Sequence, residues 1–287
     1  ISTNTSSWSK YFKQSSDISA SATSTWNSAA GFSPIGNSTT KFTGSYDGNG
    51  YIISDLFINR AATHIGLFGN TSSTGNITKL GLTGVNLTGR TYTGALVGLN
   101  EGTISLCYAA GSVKINGVYS HLGGLTGRNQ GTITDSYSTA ACSSGSTING
   151  GLAGSNISTI TRCYSTGAVS GSGTLGGLIG QNTGVLVTNS FWDTQTSGRS
   201  TSAAGTGKTT AEMKTQSTFL NAGWSLDTWN LGDGINNGYA YLKWQNPAGT
   251  ALPVELEKFT ASLSGSKVNL NWRSEERRVG KECRSRW

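Results

Sequence analysis

Residues 124–137 read GLTGRNQGTITDSY and residues 151–164 read GLAGSNISTITRCY. The two stretches match in glycine, leucine, asparagine, isoleucine and tyrosine positions. The same unit recurs outward from this pair as Gly66-Leu67-Phe68-Gly69, Ala95-Leu96-Val97-Gly98 and Gly177-Leu178-Ile179-Gly180, with closing glycines 29, 29, 27 and 26 residues apart along the series. Each unit is followed by an asparagine (Asn70, Asn100, Asn129, Asn156, Asn182), then by an aliphatic position (Ile77, Ile104, Ile133, Ile160, Leu186). From the second unit on comes a small residue and a ring: Cys107-Tyr108, Ser136-Tyr137, Cys163-Tyr164 and Ser190-Phe191.

A period this short, rich in glycine and lacking a 3.6-residue apolar stripe, cannot make two packed helices. It suits one turn of a coil built from three short strands, with glycine and asparagine at the bends. Stacked turns place like residues over like at ~4.8 Å in parallel ladders. The leucines, the isoleucine column and a Val113/Cys142/Val169 column then fill a narrow interior that no single turn could bury alone. The predicted fold is all-β: a right-handed parallel β-solenoid (β-helix) with a small C-terminal capping module containing a short helix.

These motifs resemble the GLUG repeats of large bacterial surface and secreted proteins, including adhesin-like proteins and regions flanking IgA-specific peptidases. The resemblance extends upstream to Phe42–Tyr51, similar to a first coil turn, and downstream from Phe191-Trp192-Asp193 to Trp244-Gln245, similar to a closing module. It implies an extracellular or cell-surface location on a Gram-negative bacterium and a non-catalytic structural or adhesive role. The implied partner is a cell-surface glycan or a protein. The expected organisation is a truncated flanking segment over 1–41, repeats over 42–198, a capping module over 199–247, and a linker with the start of a β-sandwich over 248–272. That last stretch resembles the region preceding the sorting domain of type IX secretion substrates. Residues 273–287 resemble a translated sequencing-library adapter and are set aside as a non-native tail. With Ile1 at the start, the chain reads as a piece of a longer protein.

Composition narrows the function. Charged residues are 12%, about half the usual ~25%. The net charge of +7 draws heavily on the last fifteen residues, which hold six basic side chains. The remaining charge is scattered, so no basic stripe speaks for nucleic acid. No apolar run approaches the ~18 residues of a membrane span.

The stretch GTGKTTAEMK at 205–214 superficially resembles a phosphate loop, but its lead-in is polar and the first glycine position is Ser202. Thr209 and Glu212 instead predict a capping box opening a helix. His64 and His121, read as lying in different turns and columns, predict no zinc site, and no metal or cofactor is expected. Cys107 and Cys163 should sit ~9.6 Å apart, two turns along a ladder, too far for a disulfide, while Cys142 should be a core hydrophobe. The one-carboxylate turns at Asp47–Gly50 and Asp233–Gly238 predict turns rather than calcium sites.

A polysaccharide-cleaving β-helix is the enzyme alternative, as a glycosidase, a lyase or its sugar-binding accessory part. It would need two facing carboxylates. The coil offers Asp47, Asp55, Glu101, Asp135 and Asp193, no two of them sharing a column in adjacent turns. Asp135 aligns with Arg162 as a surface ion pair. The candidate ligand-contact residues are the rings of Tyr108, Tyr137, Tyr164 and Phe191: facing outward they could stack on sugars, facing inward they would be core.

Overall fold

The computed structural model describes residues 1–117, 120–184, 186–231, 235–246, 256–264 and 267–274. The 248–255 linker region, Asp233-Gly234, Cys283 and the tail beyond Ser274 lie outside the described residues. The chain divides into two compact units, 1–245 and 246–287. In the second, Leu256–Ser264 and Lys267–Ser274 pair as an antiparallel hairpin.

The first unit is a parallel β-solenoid. After each repeat leucine comes a first ladder of five strands: Phe68–Thr71, Val97–Asn100, Thr126–Asn129, Ala153–Asn156 and Ile179–Asn182. A second ladder stacks Ile77, Ile104, Ile133 and Ile160 in register, and a third carries the rings. A fourth stacks Val113, Cys142 and Val169, and a fifth pairs His64, Tyr92 and His121 before the chain re-enters the motif. Each turn therefore has five short strand segments rather than the expected three. The second and third are separated by a left-handed residue at each corner: Lys79 (φ 50°), Leu106 (56°), Asp135 (46°), Arg162 (50°) and Asn189 (50°).

All five motif leucines and the four isoleucines are buried, and they share one cluster with Cys107, Cys142, Cys163 and Val113. The three cysteines are free thiols. Burial pushes each of them up to about 12. At the N-terminal end the core is plugged by aromatics, with Phe42 and Phe68 centred 4.9 Å apart and Tyr46 edge-on to Phe68. Tyr11–Lys13 and Ile18–Ser19 continue the second and third ladders below Ser45–Ser54.

The glycines explain the motif. The fifth and first ladders pack back to back at the narrow end of the coil, backbone against backbone. A Cβ on Gly98 would stand 2.7 Å from the Ile65 nitrogen, and one on Gly127 2.4 Å from the Thr93 nitrogen. Side chains cannot fit there.

A buried asparagine ladder fixes the register. Asn100 Nδ2 donates to Asn129 Oδ1, Asn129 to Asn156 and Asn156 to Asn182, each at 2.8 Å. Each amide also closes its own bend: Asn129 Nδ2 donates to Gly131 O at 2.9 Å, and its Oδ1 accepts from Gly131 N at 3.3 Å. Two sequence assignments shift by one residue. The bottom rung is Thr71, whose Oγ1 donates to Asn100 Oδ1 at 2.9 Å, because Asn70 pairs with Leu99. The top of the aliphatic column is Val187, paired with Ile160, not Leu186, which is 48% exposed. One extra residue after Asn182 turns every following side chain to the opposite face.

At the C-terminal end Thr206–Lys208 adds a parallel strand to Phe191–Asp193, and Ser202 Oγ accepts from Ile179 N at 2.9 Å. The GKTT stretch is thus the last strand and its exit. Thr209 and Glu212 form the predicted capping box, with Thr209 N donating to Glu212 Oε2 at 2.8 Å, opening the helix Thr210–Met213.

Two substitutions test this architecture. Gly127→Ala should destabilise by ~1–3 kcal/mol or more through backbone overpacking, whereas Gly145→Ala, whose Cβ meets nothing within 4 Å, should stay near neutral in urea unfolding. Asn129→Ala strands buried amides on both sides and should cost ~2–4 kcal/mol in the same measurement.

Candidate functional site

The third ladder stacks Tyr108 on Tyr137 and Tyr137 on Tyr164, with ring centroids 5.0 and 4.8 Å apart and planes within 6° and 4° of parallel. Ladder spacing of ~4.8 Å dictates this face-to-face stack. The rings point away from the Leu/Ile interior. They belong to a second apolar cluster with Met213, Phe219, Trp224, Trp229 and Leu242. The in-or-out question thus has a third answer: the column faces out of the coil and is covered by the chain's own residues 213–231 and 235–245, which lie along its side as a strap in which Trp229-Asn230 and Tyr241-Leu242 pair antiparallel. Exposure of Tyr108, Tyr137, Tyr164 and Phe191 is 8, 2, 0 and 6%. Trp224, Trp229 and Trp244 of this closing segment lie along the flank of the coil.

Polar contacts pin the strap rung by rung. Trp224 Nε1 donates to Asn189 O at 2.8 Å, Trp229 Nε1 to Asp135 Oδ1 at 3.1 Å and Trp244 Nε1 to Leu106 O at 3.0 Å. All three acceptors belong to the left-handed corner column. From the coil side, Tyr137 OH donates to Gln245 Oε1 at 3.0 Å, and Tyr164 OH donates to the Ala240 carbonyl while accepting from Asn236 Nδ2. Burial raises the Tyr137 and Tyr164 phenols far above their ordinary value.

The pair of Asp135 with Arg162 read from the alignment is present, but Asp135 is buried and only Arg162 reaches the surface. Arg162 grips the carboxylate bidentately, Nε to Oδ1 at 2.7 Å and Nη2 to Oδ2 at 2.6 Å, beneath the Trp229 indole. The strap that shields this pair is distant in sequence. Burial pushes the carboxyl up, but hydrogen bonds from Arg162, Thr134 and Trp229 outweigh it and hold the group below its usual range. Asp193 is fully buried and similar: Oδ1 accepts from Gln195 N and Thr196 N at 2.8 and 3.0 Å, and Oδ2 from Thr210 Oγ1 and Tyr239 OH at 2.7 Å each. Its carboxyl is also held low, because the bonds led by Tyr239 outweigh its desolvation. Glu101 accepts two 2.7 Å contacts from Lys41, and Asp47 accepts from Asn49 N at 2.8 Å. Among the described residues no three His, Cys, Asp or Glu side chains are grouped to hold a metal.

His64 and His121 share one column, contrary to the sequence assignment. Tyr92 lies between them, with ring centroids at 5.4 and 5.3 Å, and Arg128 sits 5.8 Å over Tyr92. The unequal spacings before the motif hid this alignment. Burial lowers both imidazoles, with Arg128 adding to the effect at His121.

Two depressions mark the first unit. One, of about 330 Å³, lies by Trp8, Arg60 and His64. The other, of about 540 Å³, lies where the strap ends against the coil, lined by Asp17, Thr83, Tyr108, Thr139, Asn236, Trp244 and neighbours.

With this geometry in place, comparison with known proteins gives partial likenesses. No family model matches the chain. Halomucin of Haloquadratum walsbyi is 39% identical over 111 residues, covering 37% of this chain and 1% of that protein. A "putative Gly-rich membrane protein" of Evansella cellulosilytica is 42% identical over 78 residues, covering 26% of this chain and 9% of that protein. The chain thus spans only a small part of the curated relatives it matches. A crystal structure of a "putative immunoglobulin A1 protease" from Bacteroides ovatus superposes with a TM-score of 0.61 over 82% of this chain and 86% of that one, at 20% identity. This last likeness shows a shared β-solenoid fold. Among the described residues no helix is long and apolar enough to cross a membrane.

Acid should loosen the structure in two steps. His64 and His121 have folded values below the unfolded ~6.5, so their contribution is complete above that pH and is lost as pH falls through the folded values. Asp135 and Asp193 behave the same way below ~3.9. Because Asp135 touches Trp229, the second step should appear in tryptophan fluorescence, and Asp135→Asn should bring strap release to higher pH. A single step shared by all probes would contradict the assignment.

Proposed function

We propose that this chain is a non-catalytic repeat region of a secreted or surface-exposed bacterial protein, built of GLUG-type repeats, serving as a stiff structural or adhesive spacer. The observation that carries the reading is the engagement of the coil's acids: Asp135, Asp193 and Glu101 are each committed to clamps that hold the fold. Carboxylates tied to Arg162, Tyr239 and Lys41 are poorly placed to shuttle protons or attack a sugar. The likenesses to Halomucin and to a glycine-rich membrane protein agree with a surface context. In this reading residues 42–198 are the repeat coil, 1–41 its flank, 199–247 its closing module, and 248–272 lead into a β-sandwich and export by the type IX route.

The carbohydrate-active and peptidase alternatives give a direct test. The full chain, incubated with immunoglobulin A1 and with a panel of soluble polysaccharides, should release neither peptide fragments nor new reducing ends. Turnover abolished by Asp55→Asn or Asp47→Asn would replace this reading with the enzyme. Beads coated with the chain should be retained on glycan- or protein-coated glass above the level of albumin-coated beads.

A further inference from the structure

We propose that the groove at the strap's end is a binding site for a neutral disaccharide unit, lying along the coil axis between Thr83 and Thr139. This deepens the adhesive reading by naming a ligand class. Its volume of about 540 Å³ falls within the ~300–1,000 Å³ of small-ligand sites.

The lining chemistry is that of a sugar. Trp244 supplies apolar ring surface, backed by the buried Tyr108 ring, whose centroid lies 5.7 Å away at a tilt of 32°. Trp244 is half-buried, its indole N–H fixed on the Leu106 carbonyl, so the ring is held in place before any ligand arrives. Such preorganised ring surface suits the C–H face of a pyranose. Polar groups surround it. The hydroxyls of Thr83 and Thr139 make no hydrogen bond among the described residues. Asp17 uses Oδ1 on the Ile52 N–H at 2.9 Å, and Asn236 donates through Nδ2 to the Ala240 carbonyl and to Tyr164; Asp17 Oδ2 and Asn236 Oδ1 are left to accept. Among the described residues no Lys, Arg or His lines the groove, and one carboxylate does. Phosphorylated, sulfated and uronic ligands are disfavoured by that charge.

The coil sets the length. Thr83 follows Leu82, and Thr139 follows Ser138; Leu82 pairs with Ala109 and Ala109 with Ser138. The two threonines therefore stand two turns apart, ~9.6 Å along the axis. Between them the lining residue is Ala110, whose small side chain keeps the floor low. In the ring column the position below Tyr108 is Gly81, over which the Tyr108 ring itself lies, so the stack ends there.

The test uses the full chain, labelled with nitrogen-15, titrated with maltose, cellobiose and N,N′-diacetylchitobiose, following the Trp244 indole N–H. One of the three should give saturable shifts at millimolar concentration. The double variant Thr83→Val/Thr139→Val removes two hydrogen bonds and should weaken that binding about tenfold, while thermal melting confirms an intact fold. Asp17→Asn gives a second reading, since it should weaken binding without disturbing the floor. Saturable shifts that neither variant alters would place the sugar elsewhere and overturn the proposal, as would no saturable shift with any disaccharide. Beads that fail to adhere would leave this result standing, and an empty groove would leave protein-mediated adhesion standing.

Discussion

The amide of asparagine has two donors and an acceptor on one short stem, and the coil uses all three. One donor and the acceptor close the bend after the first ladder; the other donor reaches the next amide, 2.8 Å away in every asparagine pair from Asn100 to Asn182. Aspartate would lack the donors and stack like charges, and glutamine would carry its amide a carbon too far. Because the interior is closed to water, an unmade bond here costs far more than a made one gains. Rungs so fixed cannot slip. Leucine then lies over leucine, and glycine meets backbone where nothing larger fits.

The same fixed rungs convert a sequence column into a physical stack. Three tyrosines in identical positions become three nearly parallel rings, and their outward aim creates an apolar stripe that the coil itself cannot bury. The strap answers that need. Its tryptophans bring apolar mass, and their indole N–H groups meet the corner column of left-handed residues, where the Leu106 and Asn189 carbonyls and the Asp135 carboxylate accept them. Carboxylates that would have been the first suspects for catalysis are absorbed into this docking.

Much of the coil was legible in the sequence because its signal is local and repeated: Gly-Leu-x-Gly, then Asn, then Ile. Capping at Thr209 and Glu212 was legible for the same reason. Single insertions were not, since one residue after Asn182 moved Val187 into the place expected of Leu186. Nor was the shared column of His64 and His121, because the spacing from each to its motif had to be counted backward through variable bends. The strap was hardest, as its contacts join residues 35 to 138 positions apart, from Trp224 with Asn189 to Trp244 with Leu106. A signal did exist. A ring column at a turn-repeat position, followed by a segment dense in tryptophan, implies two apolar surfaces that require each other.

The direction of that strap has a mechanical consequence. It begins where Trp224 meets Asn189 and ends where Trp244 meets Leu106, three turns earlier, with Trp229-Asn230 and Tyr241-Leu242 paired antiparallel on the way. Between those ends Trp229 meets the Asp135 turn, Ala240 meets Tyr164 and Tyr239 meets Asp193, so one segment is fastened to four consecutive turns at once. A pull that parts two neighbouring turns must therefore also break the fastenings on either side of the gap, as a splint resists bending.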